Sequence, residues 1–206
     1  MFPLLAASVI AVAVVIERFV YYCTLESGNA AFRTRLRSLI LAGRTEEALQ
    51  WLRGLKGPVP VTAIAAIETW HEGVAAAEAA MAARARLEMP KLRKFLSFLD
   101  TTYSAAPLVG LLGTITGMMG TFRVVARQLS HDPTADTSGV TVGIGEALIT
   151  TATGILIAVT CLVFHNLFQS WSDIRMDAAE VVAAEVVEAL EQARPHQQKK
   201  EQVDQA

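Results

Sequence analysis

The sequence predicts an all-α integral membrane protein with three transmembrane helices and long helical extensions outside the membrane. Hydrophobic residues make up 52% of the 206 residues, and the mean hydropathy is +0.38. These apolar residues are concentrated in three blocks separated by charged segments, a distribution typical of helices that cross a bilayer. Glycines recur at helical intervals within the second block, which indicates close packing between helices.

The composition also excludes several classes of protein. The net charge of -2 argues against a nucleic-acid partner. The two cysteines, Cys23 and Cys161, lie far apart at or in apolar blocks, and they resemble small apolar residues rather than a disulfide framework or a metal site. We find no pair of nucleophile and base, no cluster of metal ligands and no phosphate-binding loop. We therefore expect no enzyme activity, no catalytic residue, no cofactor and no metal.

The first block, residues 1 to 22, is interpreted as the first transmembrane helix, inserted in the lipid bilayer. Its uncharged core of about 15 residues is short for a span. Phe19, Tyr21 and Tyr22 then supply an aromatic belt, and Arg18 can extend to the lipid headgroups. A cleaved signal peptide is the alternative. Against it, no basic residue precedes the apolar core and no cleavage site of small residues follows it.

The second and third predicted spans are residues 104 to 126 and residues 140 to 168. Each is long enough to cross a hydrocarbon core of roughly 30 Å. Only Glu146 and His165 interrupt the third span. The link between the two spans, residues 127 to 139, is short and contains turn-forming residues, so we expect a helical hairpin.

The long segment between the first two spans, residues 23 to 103, is predicted to form helices rather than a separate globular domain. Two short helices should end at Gly43 and Gly54. The stretch GPVPV is interpreted as a break. From about Thr62 the chain is rich in alanine, and we expect a helix that leads directly into the second span.

Charge predicts the orientation of the spans. Eleven Lys and Arg residues lie between the first and second spans, whereas the hairpin link and the residues before it carry only Arg123 and Arg127. A basic excess marks the cytoplasmic side. We therefore expect an N-terminus on the side opposite the cytoplasm, with the long segment and a helix over residues 169 to 194 in the cytoplasm. The polar tail from residue 195 to residue 206 is predicted to be disordered.

A stripe of small residues follows the second span. Its glycines fall within an arc of roughly 80° when successive residues turn by 100°. They are Gly110, Gly113, Gly117 and Gly120. Because glycine costs about 1 kcal/mol against alanine within a helix, we interpret the stripe as a surface that another helix approaches closely. Gly154 lies on a matching small-residue face of the third span, with Ala147, Thr151 and Ala158. Packing of the hairpin alone and packing against other subunits or a pore both remain open.

The acid within the third span is a functional-site hypothesis by default, because an ionisable group in a membrane is costly. Glu146 sits about two turns into the apolar block. Thr150, Thr153 and Thr160 lie within about 40° of it around the helix. One alternative is that Glu146 pairs with an arginine at the outer interface. The alternative for the threonines is that they bond to their own helix backbone.

Two stretches, APLVGLLGTITGMMGTF and IGEALITTATGILIAV, resemble the paired signature of the ExbB/TolQ/MotA proton-channel family. The stretch FPLLAASVIAVAVVIERF resembles the first span of its ExbB branch. The resemblance covers the chain to about residue 190. It implies a three-span bacterial inner-membrane protein that forms a homopentameric ring around an ExbD-like single-span partner, whose aspartate is the main proton carrier. It also implies that the ring serves a TonB-like energy transducer.

The resemblance further implies which residues line the proton pathway. The family's threonine in the GLLGT motif falls on Thr114, its acid on Glu146 and its third-span threonine on Thr151. Thr151 lies about 140° from Glu146 around the helix, on the packing face. The helical positions place Thr150 and Thr153 beneath the acid, and both views hold if a pore-facing surface spans the seam between two helices. We keep Thr151 from the family pattern and retain Thr150 and Thr153 as secondary candidates.

Together these features predict a proton-channel motor subunit of the ExbB type. A TolQ-like subunit of the Tol-Pal envelope-integrity system is the alternative within the family. A flagellar stator of the MotA type is disfavoured, because it usually has a fourth span and a larger cytoplasmic domain. A non-conducting membrane scaffold is the alternative from another class of protein.

Overall fold

The protein is helical throughout the part that the structure, a computed structural model, describes. Those residues are 2–131 and 138–204, with side chains described for 3–127 and 140–193. The described residues contain no β-strand. The helices are α1 (Phe2–Thr24), α2 (Ala30–Leu41), α3 (Thr45–Arg53), α4 (Pro58–Thr69), a 3-10 helix (Trp70–Glu72), α5 (Val74–Leu92), α6 (Leu96–His131) and α7 (Ser138–Asp204).

Three of these helices are long and apolar enough to cross a membrane. They are the stretches Pro3–Thr24 in α1, Leu96–Arg127 in α6 and Val140–Ala193 in α7. The prediction of an all-helical protein with three candidate spans is therefore confirmed. Both α6 and α7 are longer than the spans predicted from hydropathy, because charged helical residues continue each helix beyond its apolar block.

The chain divides into two compact units. The first unit contains residues 1–19 and 95–168, and the second contains residues 20–94 and 169–206. The sequence predicted that the long segment between the first two spans forms helices rather than a globular domain. In the structure this segment belongs to the second compact unit. That segment and the later part of α7 share one hydrophobic core, which the sequence pattern of separate short helices did not reveal.

The core of the second unit is formed by apolar stripes on several helices. Its most deeply buried members include Ile40 of α2, Leu52 of α3, Val59 of α4 and Val182 of α7. Full burial of one large aliphatic side chain contributes about 1.5–3 kcal/mol. Val182, Val186 and Leu190 recur at helical spacing and form the face of α7 that enters this core.

Polar contacts supplement the core of the second unit. The Tyr22 hydroxyl donates a hydrogen bond of 3.0 Å to the Leu92 carbonyl within a buried site. The Arg33 guanidinium lies 3.1 Å from a carboxylate oxygen of Glu185. Because the two charged side chains of that ion pair are substantially exposed, the pair contributes at most about 1 kcal/mol. Apolar burial therefore dominates the stability of this unit.

Backbone conformation corrects two predicted helix boundaries. The break predicted at GPVPV is limited to Gly57, at φ +120°, because Pro58 begins α4 and suits the first turn of a helix. The predicted continuous helix into the second span is interrupted twice. Gly73 has φ +109° and Phe95 has φ +63°, and both values are incompatible with a continuing right-handed helix. The two short helices do end beside Gly43 and Gly54, as predicted.

The chain beyond the third span differs from the prediction of a disordered tail. In the structure α7 continues to Asp204, so the backbone of residues 195–204 is helical. Lys, Glu and Gln are good helix formers, and this favours helix in a segment whose polarity alone suggested disorder. Within the predicted hairpin link, α6 continues to His131 and α7 begins at Ser138. Residues 132–137 and 205–206 lie outside the described residues.

The first unit leaves many of its large apolar residues exposed. Leu4, Ala106 and Ala158 form its buried apolar cluster. Leu108 and Leu156 are among many large apolar side chains that are mostly exposed. A surface of this kind is stable in lipid or against other subunits but is rare on soluble monomers, which agrees with membrane insertion of these helices.

Arg18 is a further correction. The sequence suggested that its side chain extends to the headgroups, yet the side chain is only 2% exposed. Its Nη2 donates a 2.8 Å hydrogen bond to the Glu17 carboxylate, and its guanidinium lies 5.5 Å from the centre of the Phe95 ring. The neighbouring acid and the aromatic face together offset the cost of removing this charge from water.

Candidate functional site at the interface of α6 and α7

Small residues bring α6 and α7 into direct contact. Gly110 of α6 faces Thr151 of α7, and Gly117 faces Ala147. Residue numbers rise along one helix as they fall along the other, so the two helices are antiparallel, as a hairpin requires. The small-residue faces that the sequence indicates on the two spans therefore lie against each other within a single chain.

Gly154 and Gly113 are two of the positions in this contact that leave no room for a side chain. A Cβ atom on Gly154 would lie 2.6 Å from the Ala106 carbonyl oxygen and 3.2 Å from the Gly110 Cα. A Cβ atom on Gly113 would lie 2.5 Å from Cγ2 of Thr150. Real Cβ atoms essentially never lie closer than 3.0 Å to such neighbours. Close backbone approach supplies much of the packing between membrane helices, so glycine is needed at both positions.

One predicted packing glycine lacks a neighbour, and another packing glycine was missed. No described atom outside its own stretch of helix lies within 4 Å of a Cβ placed on Gly120. Gly143 of α7, which was not among the predicted packing residues, faces Thr121 of α6. Gly143 precedes Ala147 by four residues and Gly154 by eleven, so the same helical spacing could have identified it.

The threonines of the site differ in what their hydroxyls contact. The Thr151 hydroxyl donates a 3.0 Å hydrogen bond across the interface to the Gly110 carbonyl. The others bond within their own helix: Thr114 donates to the Leu111 carbonyl at 2.7 Å, Thr150 to that of Glu146 at 2.9 Å, and Thr153 to that of Ile149 at 2.8 Å. Thr151 is thus the candidate hydroxyl that joins the two helices.

Thr150 requires a correction to the predicted polar stripe. The sequence grouped Thr150 and Thr153 beneath Glu146, but Thr150 is only 8% exposed and packs against Gly113. Thr150 lies at the border between the acid's face and the packing face, so a small rotation of the helix decides which one it joins. Thr153 is half-buried and stays on the face of the acid.

Glu146 lies on the flank of the helix pair. Its side chain is exposed within this single chain, and no described cation forms an ion pair with it. The contact face of α7 is centred on Ala147 and Thr151, roughly a third of a turn around the helix from Glu146. Thr114 is half-buried on α6 and lies one helical turn after Gly110. Because the Gly110 carbonyl accepts the Thr151 hydrogen bond, Thr114 and Thr151 lie near the same level of the helix pair.

Chemically, the site offers one ionisable carboxylate and several hydroxyls in an otherwise apolar surface. Such groups can hold or relay a proton and can contact water or a charged partner helix. Among the described residues, no three His, Cys, Asp or Glu side chains come together as metal ligands would. This combination of groups suits proton movement.

Comparisons with known proteins identify the same family over most of these helices. The MotA/TolQ/ExbB proton channel family matches residues 62–181. The biopolymer transport protein ExbB-like 3 of Synechocystis sp. is 33% identical over 172 residues, covering 82% of this chain and 79% of the relative.

Two further relatives match shorter parts of the chain. The Tol-Pal system protein TolQ of Pseudomonas aeruginosa is 39% identical over 103 residues, covering 50% of this chain and 42% of the relative. The biopolymer transport protein ExbB of Pseudomonas putida is 40% identical over 70 residues, covering 34% of this chain and 20% of the relative. With the matched region spanning more than half of its length and with three candidate membrane spans, this chain belongs to the MotA/TolQ/ExbB proton channel family.

Proposed function

We propose that this chain is an ExbB-like subunit of a proton-driven motor in the bacterial inner membrane. In this proposal it surrounds an ExbD-like single-span partner and delivers the energy of the proton motive force to a TonB-like transducer for outer-membrane transport. Family membership supports proton conduction. The ExbB-like relative that aligns with 82% of the chain supports the ExbB branch.

The observation that carries the proposal is the position of Glu146. It is a carboxylate within an apolar span, it is exposed on the flank of the α6–α7 pair, and no described cation pairs with it. A charged group at such a position needs water or a partner beyond the described residues, because lipid cannot solvate it. A hydrated proton pathway beside this flank meets that need.

Thr114 and Thr151 are proposed to line the proton pathway with Glu146. The Thr151 hydroxyl donates its hydrogen to the Gly110 carbonyl. Its oxygen therefore keeps acceptor capacity for a water molecule or a protonated group. Each proton that crosses supplies about 2.3 kcal/mol per 100 mV of membrane potential, and this energy drives the movement of the partner.

Assembly into a homopentameric ring is part of the proposal. The open position at Gly120 and the exposed apolar side chains of α6 and α7 support contacts with further helices. The family resemblance supplies the expectation of five subunits, with the N-terminus in the periplasm and the C-terminus in the cytoplasm.

A TolQ-like role is the second candidate. It is favoured by the TolQ relative of Pseudomonas aeruginosa, which is 39% identical over half of this chain. A TolQ-like subunit would use the same proton pathway but would serve envelope integrity. Expression in cells lacking either native subunit separates the roles, since rescue of TonB-dependent uptake supports the first and rescue of detergent resistance supports the second.

The central test replaces Glu146. Glu146→Ala should abolish TonB-dependent uptake in cells that lack the native subunit, while the oligomer still forms. Glu146→Asp should retain part of the uptake, because it keeps the charge and loses only reach. Glu46→Ala is the matched control, since Glu46 is an exposed acid of α3 outside the candidate spans. Expression of every variant is checked by immunoblot.

A scaffold with no proton pathway gives a different result. Proton flux into vesicles that contain the chain and its partner should depend on Glu146 if the chain conducts protons. Full uptake by Glu146→Ala and Glu146→Gln would remove this acid from the mechanism. Absence of any flux from the assembled complex would favour the scaffold instead.

A further inference from the structure

An open groove runs along the second unit between α5 and the later part of α7. Its volume is about 620 Å³. The floor contains the buried residues Thr62, Met176, Ala183 and Val187, and α5 contributes the half-buried Met81 to its wall. None of the candidate proton-pathway residues lines this groove. The packing of the core of the second unit does not fill it either.

The two walls of the groove have helical periodicity. On α5 the lining positions recur every three or four residues, as they do on α7 from Met176 to Glu191. That stretch of α7 is about 22 Å long at 1.5 Å per residue. Small alanines alternate with flexible methionines along the walls, and such surfaces accept the ridge of a third helix. A helix of roughly 15 residues matches this length.

The rim of the groove is acidic. Among the described residues that line the groove, four are carboxylates at its edges and one is a cation, Arg86. The carboxylates are Glu78, Glu180, Glu188 and Glu191. Glu188 lies 3.7 Å from the Arg37 guanidinium in an exposed pair, whereas no ion pair is seen for the other three among the described residues. The groove therefore presents a net negative charge around an apolar floor, and it favours a basic partner.

We propose that this groove binds a basic amphipathic helix of a partner protein. The apolar face of that helix packs on the methionine- and alanine-lined floor, and its Lys and Arg side chains contact the four rim carboxylates. The length of the groove and the helical spacing of its lining favour a helix as the ligand, and the acidic rim favours a basic helix. The proposal does not depend on proton conduction, because it concerns only the second unit.

The test measures binding of a fluorescent 18-residue Leu/Lys amphipathic peptide to the full-length chain in phosphatidylcholine nanodiscs. Fluorescence anisotropy should show saturable binding that weakens as salt increases. A peptide with the same leucines and with Glu in place of Lys should not bind. A Lys peptide with the same composition in scrambled order, and therefore with no apolar face, should bind at least about tenfold more weakly.

Paired variants locate the binding surface. Glu180→Lys combined with Glu191→Lys should weaken binding by about tenfold or more, whereas Asp177→Lys changes an exposed acid of α7 outside the groove and should have little effect. Ala184→Trp places a large side chain in the groove from an exposed position and should block binding. Val181→Trp is its control, since Val181 is exposed on α7 away from the groove.

Specific results overturn the proposal. Equal binding of the Lys and Glu peptides, or binding that survives both Ala184→Trp and the double charge reversal, would show that the groove is not the site. Loss of the oligomer in Ala184→Trp but not in Val181→Trp, measured by native mass spectrometry, would assign the groove to a second copy of this chain instead. Normal circular dichroism and melting of each variant exclude misfolding as the cause.

Discussion

The contact of Gly154 with the α6 backbone yields a quantitative prediction. Replacing Gly154 with alanine adds a Cβ that would lie 2.6 Å from the Ala106 carbonyl oxygen, so the helix backbones must move apart. Overpacking of this kind costs about 1–3 kcal/mol, and the better helix propensity of alanine returns about 1 kcal/mol. Gly154→Ala should therefore lower the free energy of unfolding by up to about 2 kcal/mol.

Gly145→Ala is the matched control on the same helix. Among the described residues, no atom outside its own stretch of helix lies within 4 Å of a Cβ placed on Gly145, so only the gain in helix propensity of about 1 kcal/mol applies there. The two variants should differ by about 1–3 kcal/mol. The assay is reversible SDS-induced unfolding of the full-length chain in mixed micelles, followed by far-UV circular dichroism, with oligomer size checked by chromatography. A Gly154→Ala protein as stable as Gly145→Ala would refute the close contact.

Two further predictions concern the hydroxyl across the interface and the orientation. Thr151→Val should lower the free energy of unfolding by about 0.6–1.7 kcal/mol, because it removes the hydrogen bond between the helices. Thr153→Val should change that free energy little, because the Thr153 hydroxyl bonds within its own helix. Equal effects of the two variants in the same SDS titration would contradict this assignment. Protease tags at Gly57 and after Gln192 should be protected in intact spheroplasts, and a tag at Thr134, outside the described residues, should be cut. Cleavage at Gly57 would reverse the orientation predicted from the loop charges.

Much of the membrane part could be predicted from the sequence because its signals are local. Length and hydropathy identify three helices that can cross a bilayer, since each helix satisfies its own backbone hydrogen bonds there. Helical spacing placed Gly110, Gly113, Gly117 and Gly154 on small-residue faces, and in the structure these residues lie at the α6–α7 contact. Because a short link connects the second and third spans, antiparallel packing of these two helices was the simplest arrangement to predict.

Other features depended on contacts between distant parts of the chain. The stripe of α7 from Val182 to Leu190 enters a core with α2, α3 and α4, and no local pattern indicates which helices share a core. The breaks at Gly73 and Phe95 likewise depend on how the chain must turn between packed helices, and Phe95 carries no sequence signal for positive φ.

The division between sequence and tertiary structure is clearest at Thr150 and Thr151. The sequence alone determined that an acid, hydroxyls and small residues share one helix, because a periodicity of 3.6 residues sets their relative angles. It could not determine how that helix is rotated against its neighbour. Interhelical packing decided that Thr150 is buried against Gly113 and that the Thr151 hydroxyl reaches the Gly110 carbonyl, because close backbone approach permits only one rotation of the two faces.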